Sequence, residues 1–260
     1  MRLTLCLVAL LLATLALAAP VWQAPFSLDK TAAYPCQWAA QAPVLDGKLD
    51  DPAWAQAVVI EGVIVPPKLT WPDLVMTKPR PATSQSHARL LWDAKYLYFA
   101  AEWEDRDIYC VSKPLHDIPF GVDDIAELFV KPKDELPYYW ELHVVPSGGT
   151  RDYFYARRGA GGEARWLKYD SGLEAKVTVQ GTFDDWSDRD NKWLVEMRVP
   201  WAAFAQMGGQ PQPGDLWRFL VSRYDYSVHL EDGVELSAAA PLTWANFHEY
   251  ESYPYLRFVK

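Results

Sequence analysis

Short apolar stretches, separated by turn residues, follow one another along most of the chain. Stretches of this length that are rich in Val, Leu, Tyr, Phe and Trp are typical of half-buried β-strands. Almost no window shows the 3.6-residue apolar period of a long amphipathic helix. The pattern predicts strands at 58–65, 88–92, 96–103, 125–130, 138–145, 151–156, 173–180, 192–199, 216–224 and 255–259.

Turn and loop signals lie between these segments. Residues 93–95 predict a short hairpin turn, and the five prolines within 66–85 predict a long irregular loop, with a second loop at 106–123. Two short helical turns are expected, one at 200–204 and one that Asp51 caps ahead of a proline. Many short strands with few helices favour an all-β, antiparallel β-sandwich of the immunoglobulin or jelly-roll type with long loops.

The first part of the chain differs from the rest. Arg2, the apolar run 3–17 and the small residues before position 19 predict a signal peptide at 1–18, the alternative being an uncleaved anchor. Residues 19–43 are rich in Ala and Pro and predict an extended lead-in that packs on the domain surface. The sandwich domain is expected at 44–260. We therefore predict a secreted or periplasmic protein that has no membrane contact after cleavage.

Composition and charge narrow the classes of ligand. The chain has 13 Trp, 14 Tyr and 10 Phe, which suit both strand cores and sugar-binding faces. Its net charge of −9 repels phosphate backbones and anionic lipid, so nucleic acid is not an expected partner. Outside the signal segment the cysteines are Cys36 and Cys110. In an oxidising compartment they are expected to pair, the alternative being two separate buried thiols.

The sequence contains neither a Gly-x-Ser-x-Gly elbow nor a His-Glu-x-x-His helix, so no familiar hydrolase motif is present. A glycoside hydrolase stays an alternative, because such an enzyme needs two carboxylates about 5–10 Å apart and the chain has several acidic pairs. These pairs include Glu102 with Glu104, and Asp184 with Asp185. None of the five histidines has metal-ligand spacing with another. The lack of these motifs favours a protein that binds a ligand without catalysing a reaction.

A series of segments resembles, in content and order, the family 9 carbohydrate-binding modules. They read VLDGKLDDPAW (44–54), ARLLWDAKYLY (88–98), DIAELF (124–129), WLVEMRVP (193–200), PGDLWRF (213–219), and TW (243–244) with YLRF (255–258). The resemblance covers 44–260 and implies a β-sandwich that binds a carbohydrate ligand and does not cleave it. It also implies structural calcium, for which Asp46, Asp50 and Asp51 are one candidate cluster.

The resemblance also implies a site. Family members hold a terminal sugar between two parallel Trp rings, and here Phe120 stands at one of these positions and Phe247 near the other. Glu127 matches a carboxylate that contacts sugar, and His143 replaces another contact residue. The implied carbohydrate-binding residues are Phe120, Asp124, Glu127, His143, Phe247 and His248, with Trp166 and Arg223 as further candidates. Each has a structural alternative: the Phe side chains in the core, Asp124 as a loop cap and Glu127 exposed on a strand.

Two other functions stay open on the sequence. Related sandwiches of the DOMON type bind haem, and the available ligands here are Met76, Met197, Met207 and His143, although Met197 alternates with core positions. An extracellular scaffold could instead use an exposed edge strand or an aromatic surface to bind a protein partner. The sequence indicates neither that partner nor the sugar.

Overall fold

The computed structural model describes residues 19–24, 32–116, 118–119, 121–158 and 169–260. The predicted signal peptide, Phe120 and Trp166 lie outside these residues. Among the described residues no helix is long and apolar enough to cross a membrane. The strands are β1 (Val21–Gln23), β2 (Ala33–Trp38), β3 (Val59–Glu61), β4 (Ile64–Val65), β5 (Arg80–Pro81), β6 (Ser86–Trp92), β7 (Tyr96–Glu104), β8 (Ile125–Lys131), β9 (Tyr139–Val144), β10 (Thr150–Tyr155), β11 (Glu174–Gln180), β12 (Lys192–Pro200), β13 (Leu216–Tyr226), β14 (Val234–Ala238) and β15 (Tyr255–Val259).

The strands form an all-β sandwich, which confirms the predicted fold class. Strands β10, β9, β8 and β13 make one antiparallel layer, which β14 extends, and strands β6, β7, β12 and β11 make the other. Strands β15 and β2 connect the two layers, and β2 runs parallel to both β15 and β6. Three short 3₁₀ helices, Pro52–Gln56, Trp201–Met207 and Tyr250–Ser252, complete the described secondary structure.

One large hydrophobic cluster holds the layers together. Leu90, Phe99 and Trp193 from one layer meet Leu128 and Trp140 from the other, and all five are buried. Because successive side chains of a strand point to opposite faces, every second residue of these strands enters this cluster. Burying a side chain of this size contributes about 1.5–3 kcal/mol. Burial of these alternating apolar side chains is therefore the main source of stability of the sandwich.

The lead-in prediction needs a correction. It was expected to pack on the surface, but β2 lies within the sheet and its Tyr34 and Cys36 are buried. Pro35 lies in the middle of β2, although proline cannot donate to a ladder. Pro35 pairs in register with Arg257 of β15, whereas the backbone of β2 pairs with β6 only at Gln37 and Trp38. The Tyr34 hydroxyl accepts a hydrogen bond from Leu90 N at 3.2 Å. This bond satisfies a β6 amide beyond the two residues that pair with β2.

The expected disulfide is also wrong. Cys36 lies in the large central cluster, whereas Cys110 packs in a separate small cluster with Ile118, Ile125 and Val145. Both thiols are free and buried. Burial raises the pKa of Cys36 well above its usual range and that of Cys110 to about 11. Both therefore stay protonated at neutral pH and are poor nucleophiles.

Two segments of the family resemblance meet at one buried carboxylate, Glu196 on β12. Its Oε2 accepts from the backbone N–H groups of Asp46 (2.9 Å) and Gly47 (2.7 Å), and its Oε1 accepts from Trp54 Nε1 at 2.7 Å. Gly47 has φ +83°, and a Cβ atom there would lie 2.9 Å from the Val177 carbonyl carbon. Hence the Asp-Gly turn, the Trp and the Glu occur together because they form one hydrogen-bonded unit.

Replacing Glu196 with glutamine tests this unit. The amide keeps one acceptor oxygen and places an NH₂ donor against N–H donors, so we expect the free energy of unfolding to fall by about 1–3 kcal/mol. Urea denaturation followed by circular dichroism measures it. Glu174→Gln, at an exposed position of the adjacent strand β11, is the matched control and should change the value by less than about 0.5 kcal/mol. Equal effects of the two substitutions would contradict this explanation.

Candidate functional site

Two of the predicted site residues, Glu127 and His143, lie on the outer face of the layer formed by β10, β9, β8 and β13. Glu127 and His143 occupy alternate positions to the core residues Leu128 and Leu142, so their side chains point away from the central cluster. The segment 238–253 covers this face and forms a second apolar cluster with it. The face is therefore an interior surface beneath a covering segment.

The centre of this covered face is an ionic triad of Glu127, Glu141 and His143. The His143 Nε2 atom lies 2.6 Å from Glu141 Oε1 and 3.1 Å from Glu127 Oε1, and the side chains are 1–4% exposed. Burial alone would lower the pKa of His143, but the two carboxylates outweigh it and raise that pKa to about 10. The imidazole is therefore a buried cation at neutral pH.

The pKa values of the two carboxyl groups of the triad shift in opposite directions. Burial raises the pKa of Glu127, although His143 and the Ser222 hydroxyl, which donates to Oε2 at 2.7 Å, act against it. Burial also acts to raise the pKa of Glu141, but the His143 charge outweighs this effect and lowers it. The Tyr155 hydroxyl donates a further hydrogen bond to Glu141. The triad and its hydrogen-bond partners therefore form a buried polar network.

His248 lies beside the triad on the covering segment. Its Nδ1 atom is 3.0 Å from the Tyr139 hydroxyl, and its ring packs 5.2 Å from that of Tyr155. Tyr139 and Tyr155 stack on each other at 4.7 Å with an interplanar angle of 6°. Phe247 packs edge-on against Tyr224 at 5.5 Å within the apolar cluster, which agrees with the alternative that it is a core residue.

Asp124 is separate from this group. Its Oδ2 accepts from Tyr109 N at 2.7 Å and its Oδ1 from Tyr226 N at 2.6 Å, so it caps the chain at two places, as its structural alternative stated. Arg223, a further candidate, is buried in an ion network with Asp105 and Asp225.

The structure thus brings Glu127, His143 and His248 together and places Asp124 and Arg223 elsewhere. Asp124, Glu127, His143 and Phe247 are only 0–4% exposed, so the alternative that Glu127 is simply exposed is wrong. Their role as sugar contacts stays a prediction.

An open cleft of about 500 Å³ lies at the end of β13, beside the covered face. Tyr226 follows Tyr224 on the same face of β13, and their rings lie 6.4 Å apart at 17°. Tyr109 packs 6.4 Å from Tyr226, and Trp186, 64% exposed, lines the cleft with them. Gly121, the neighbour of Phe120 in the chain, also lines it.

Polar groups line the same cleft. Asp107 accepts from the Ser227 hydroxyl at 2.9 Å and from Val228 N at 3.1 Å, both through Oδ2. Asp184 accepts from Cys110 N at 2.8 Å through Oδ1. Each carboxylate therefore retains a second oxygen for a ligand hydroxyl. The sequence reasoning missed this cleft, although a Trp within the polar turn 184–188 is the signal that could have found it.

The proposed calcium cluster does not fit the ion. Both carboxylate oxygens of Asp46 are engaged by Lys48, through its N–H and its Nζ. Those of Asp51 accept from Ala53 N and Val44 N. Calcium needs six to eight oxygen ligands, and these carboxylates instead shape a turn and cap a short helix.

The haem ligands suggested by the sequence are not placed as a pair. Met197 is buried in the central cluster, whereas His143 lies on the outer face of the opposite layer with Nε2 engaged by two carboxylates. Met76 lies exposed in the loop 66–85. The side chain of Met207 is outside the described part of the structure. Among the described residues, no two of these candidates share a site.

No protein-family model and no curated protein matches the chain, but solved structures do. One is a family 9 carbohydrate-binding module from Caldicellulosiruptor kristjanssonii, solved with cellotriose and with glucose. The cellotriose complex gives a TM-score of 0.55 at 13% identity over 87% of this chain and 93% of that chain. The glucose complex gives 0.52 at 13% identity over 86% and 95%. A Bacteroides uniformis protein that is proposed to bind carbohydrate gives 0.61 at 13% identity over 87% and 99%. The chain therefore has a fold like that of family 9 modules.

Proposed function

We propose that the protein binds carbohydrate without cleaving it, in the cleft lined by Tyr109, Trp186 and Tyr226. The observation that carries the proposal is this open cleft, in which exposed aromatic rings lie beside carboxylates. Each of these carboxylates has one oxygen that accepts no hydrogen bond from the described residues. Its volume of about 500 Å³ lies in the usual range for small-ligand sites. The likeness in fold to sugar-binding modules supports the same function.

The physical basis is stacking combined with a few polar anchors. Sugar rings present C–H faces that pack on aromatic rings, and their hydroxyls donate to carboxylate oxygens. Trp186 is the largest exposed ring of the cleft, and Asp107 and Asp184 are its charged groups. Gly121, which lines the cleft, follows Phe120 in the sequence, the residue that the resemblance matches to a family Trp.

The first ligands to test follow from the similar module, which binds cellotriose and glucose. Titration calorimetry with both sugars, and retardation in gels that contain soluble polysaccharides, cover chain ends and chain interiors. Replacing Trp186 with alanine removes a stacking surface that contributes about 1–2 kcal/mol, so affinity should fall roughly tenfold.

The matched control is Trp71→Ala, since Trp71 is 84% exposed in the loop 66–85 and does not line the cleft. It should leave the affinity unchanged. Equal losses in the two variants would move the site away from this cleft. The absence of binding over the whole panel would contradict the proposal and leave the scaffold function, which the exposed Trp71, Leu74 and Val75 favour.

The non-catalytic part has its own experiment. Prolonged incubation with cello-oligosaccharides should release no reducing ends, because we assign no acid–base role to Asp107 or Asp184. Release that disappears in Asp107→Asn or Asp184→Asn would instead identify a hydrolase. We further propose export to the periplasm or the medium, which rests on the signal-like residues 1–18. N-terminal sequencing of the protein recovered outside the cytoplasm checks it.

A further inference from the structure

We propose that His116, Asp152 and Asp170 form a binding site for a divalent transition-metal cation such as Zn²⁺, at the outer edge of β10. One ligand atom from each residue lies within 4.8 Å of the others. The site is on the face of β10 opposite Tyr153 and Tyr155, and so is separate from the covered face and from the sugar cleft. It does not depend on the proposed function.

The separation of two of the ligand atoms fits coordination better than a hydrogen bond. His116 Nε2 lies 3.5 Å from Asp152 Oδ1. Hydrogen bonds of this kind are usually about 2.7–3.2 Å long. Two ligands at about 2.0–2.1 Å from a tetrahedral zinc lie about 3.4 Å apart, which is close to the observed distance.

Asp152 provides an independent indication, because one of its oxygens is buried and accepts no hydrogen bond. The residue is 6% exposed, and its Oδ1 makes no hydrogen bond, whereas its Oδ2 accepts from Ser171 N at 2.7 Å. A buried carboxylate oxygen without a hydrogen bond is costly, and a bound cation would compensate for the missing bond.

The imidazole of His116 is held in a metal-binding orientation. Its Nδ1 lies 3.2 Å from the Thr150 hydroxyl, and its backbone pairs with Thr150 at the start of β10. Donation from Nδ1 to the hydroxyl leaves the Nε2 lone pair directed at Asp152. Metal-bound histidines commonly use their second nitrogen in this way.

Asp170 provides the third ligand, from the solvent side of the site. It is exposed, and its Oδ1 accepts from Gly172 N at 2.8 Å, so its second oxygen is the free ligand atom. Arg151, the neighbouring cation in the chain, stacks on Tyr153 on the other face of the strand. One imidazole with two carboxylates suits zinc-like ions, whereas calcium takes oxygen ligands alone.

Calorimetric titration of the full chain with ZnCl₂, without sugar, tests the site. We expect one equivalent to bind, and His116→Gln and Asp170→Asn each to weaken binding at least tenfold. His116 and Asp170 are exposed, so these variants should fold normally, which circular dichroism checks. Asp152→Asn should weaken binding as well. Co²⁺ serves as a second probe, because its visible absorption reports nitrogen and oxygen coordination and should be lost in His116→Gln.

The matched control is His229→Gln, since His229 is an exposed histidine away from the site. It should leave the affinity and the Co²⁺ spectrum unchanged. The proposal is overturned if Zn²⁺ fails to bind, if His229→Gln and His116→Gln lose affinity equally, or if Ca²⁺ displaces Zn²⁺ at similar concentration.

Discussion

Replacing Arg223 with methionine is expected to lower the free energy of unfolding by about 3–5 kcal/mol at pH 7. The guanidinium is buried at one end of the core, where it joins the two layers. From β13 it donates to the Glu104 carbonyl at 2.7 Å and to Asp105 Oδ2 at 2.6 Å. Asp225 Oδ2 lies 3.4 Å away. Without this cation, buried carboxylates lose their compensating charge.

The pH dependence distinguishes this electrostatic loss from a packing defect. Asp105, Asp124 and Asp225 share the site, so one Arg faces three carboxyl groups. Burial raises the pKa of Asp225 to about 6 and that of Asp124 well above its usual range, while Arg223 acts to lower both. Removing the cation raises them further, and a raised folded-state pKa makes stability increase as pH falls. The deficit of Arg223→Met should therefore be larger at pH 8 than at pH 5.

Urea denaturation at the two pH values measures the deficit. Arg198→Met is the control, since Arg198 is a partly exposed arginine that pairs with exposed Glu174, and should cost less than about 1 kcal/mol. Adding Asp105→Asn to Arg223→Met removes one uncompensated charge and should restore part of the stability. A deficit that is independent of pH, with no restoration in the double variant, would show that the loss comes from packing.

The strand pattern of the sequence predicted most of the sandwich, because alternating apolar positions such as Val195 and Met197 follow directly from burial on one face. It missed β2, where the Tyr34 hydroxyl accepts a hydrogen bond from Leu90 N on β6, and the disulfide prediction failed because Cys36 and Cys110 enter different clusters. Both errors concern contacts between residues far apart in sequence, which periodicity does not report.

The candidate site was predicted in part. The resemblance selected Glu127 and His143, which the structure places in one triad, but it gave no sign of Glu141, their third member. Nor could it show that the segment 238–253 covers this face and that Tyr109, Trp186 and Tyr226 meet at an open cleft. Alternation assigns a side chain to a face, whereas exposure of that face depends on which distant segment packs over it.

The triad makes stability fall with rising pH above neutrality. The folded-state pKa of His143 is about 10, above its unfolded value of about 6.5. Its contribution is therefore fully present below pH 6.5 and is lost as the pH rises towards 10. While the folded protein holds one proton that the unfolded chain has released, the free energy of unfolding should fall by about 1.4 kcal/mol per pH unit.

The measurement belongs between pH 7 and about 7.5, below the range in which unfolded cysteine, with a pKa of about 8.5, and unfolded tyrosine lose protons. The titratable groups around His143 include Glu127 on β8, Glu141 on β9, Tyr153 and Tyr155 on β10, Tyr224 on β13 and His248 on the covering segment. Burial raises the pKa of Tyr155 and Tyr224, so these tyrosines keep their protons in this window. The His143 proton is identified by the difference in slope between the original protein and His143→Gln.

His143→Gln should remove the slope and lower the free energy of unfolding at pH 6.5 by about 3 kcal/mol, because two buried carboxylates then lack a cation. His229→Gln, at an exposed position, should keep both the slope and the stability of the original protein. A slope that persists in His143→Gln would assign the proton to another group. If the slope disappears as expected, the polar network beneath the covering segment depends on a charge on His143 that is present at neutral pH.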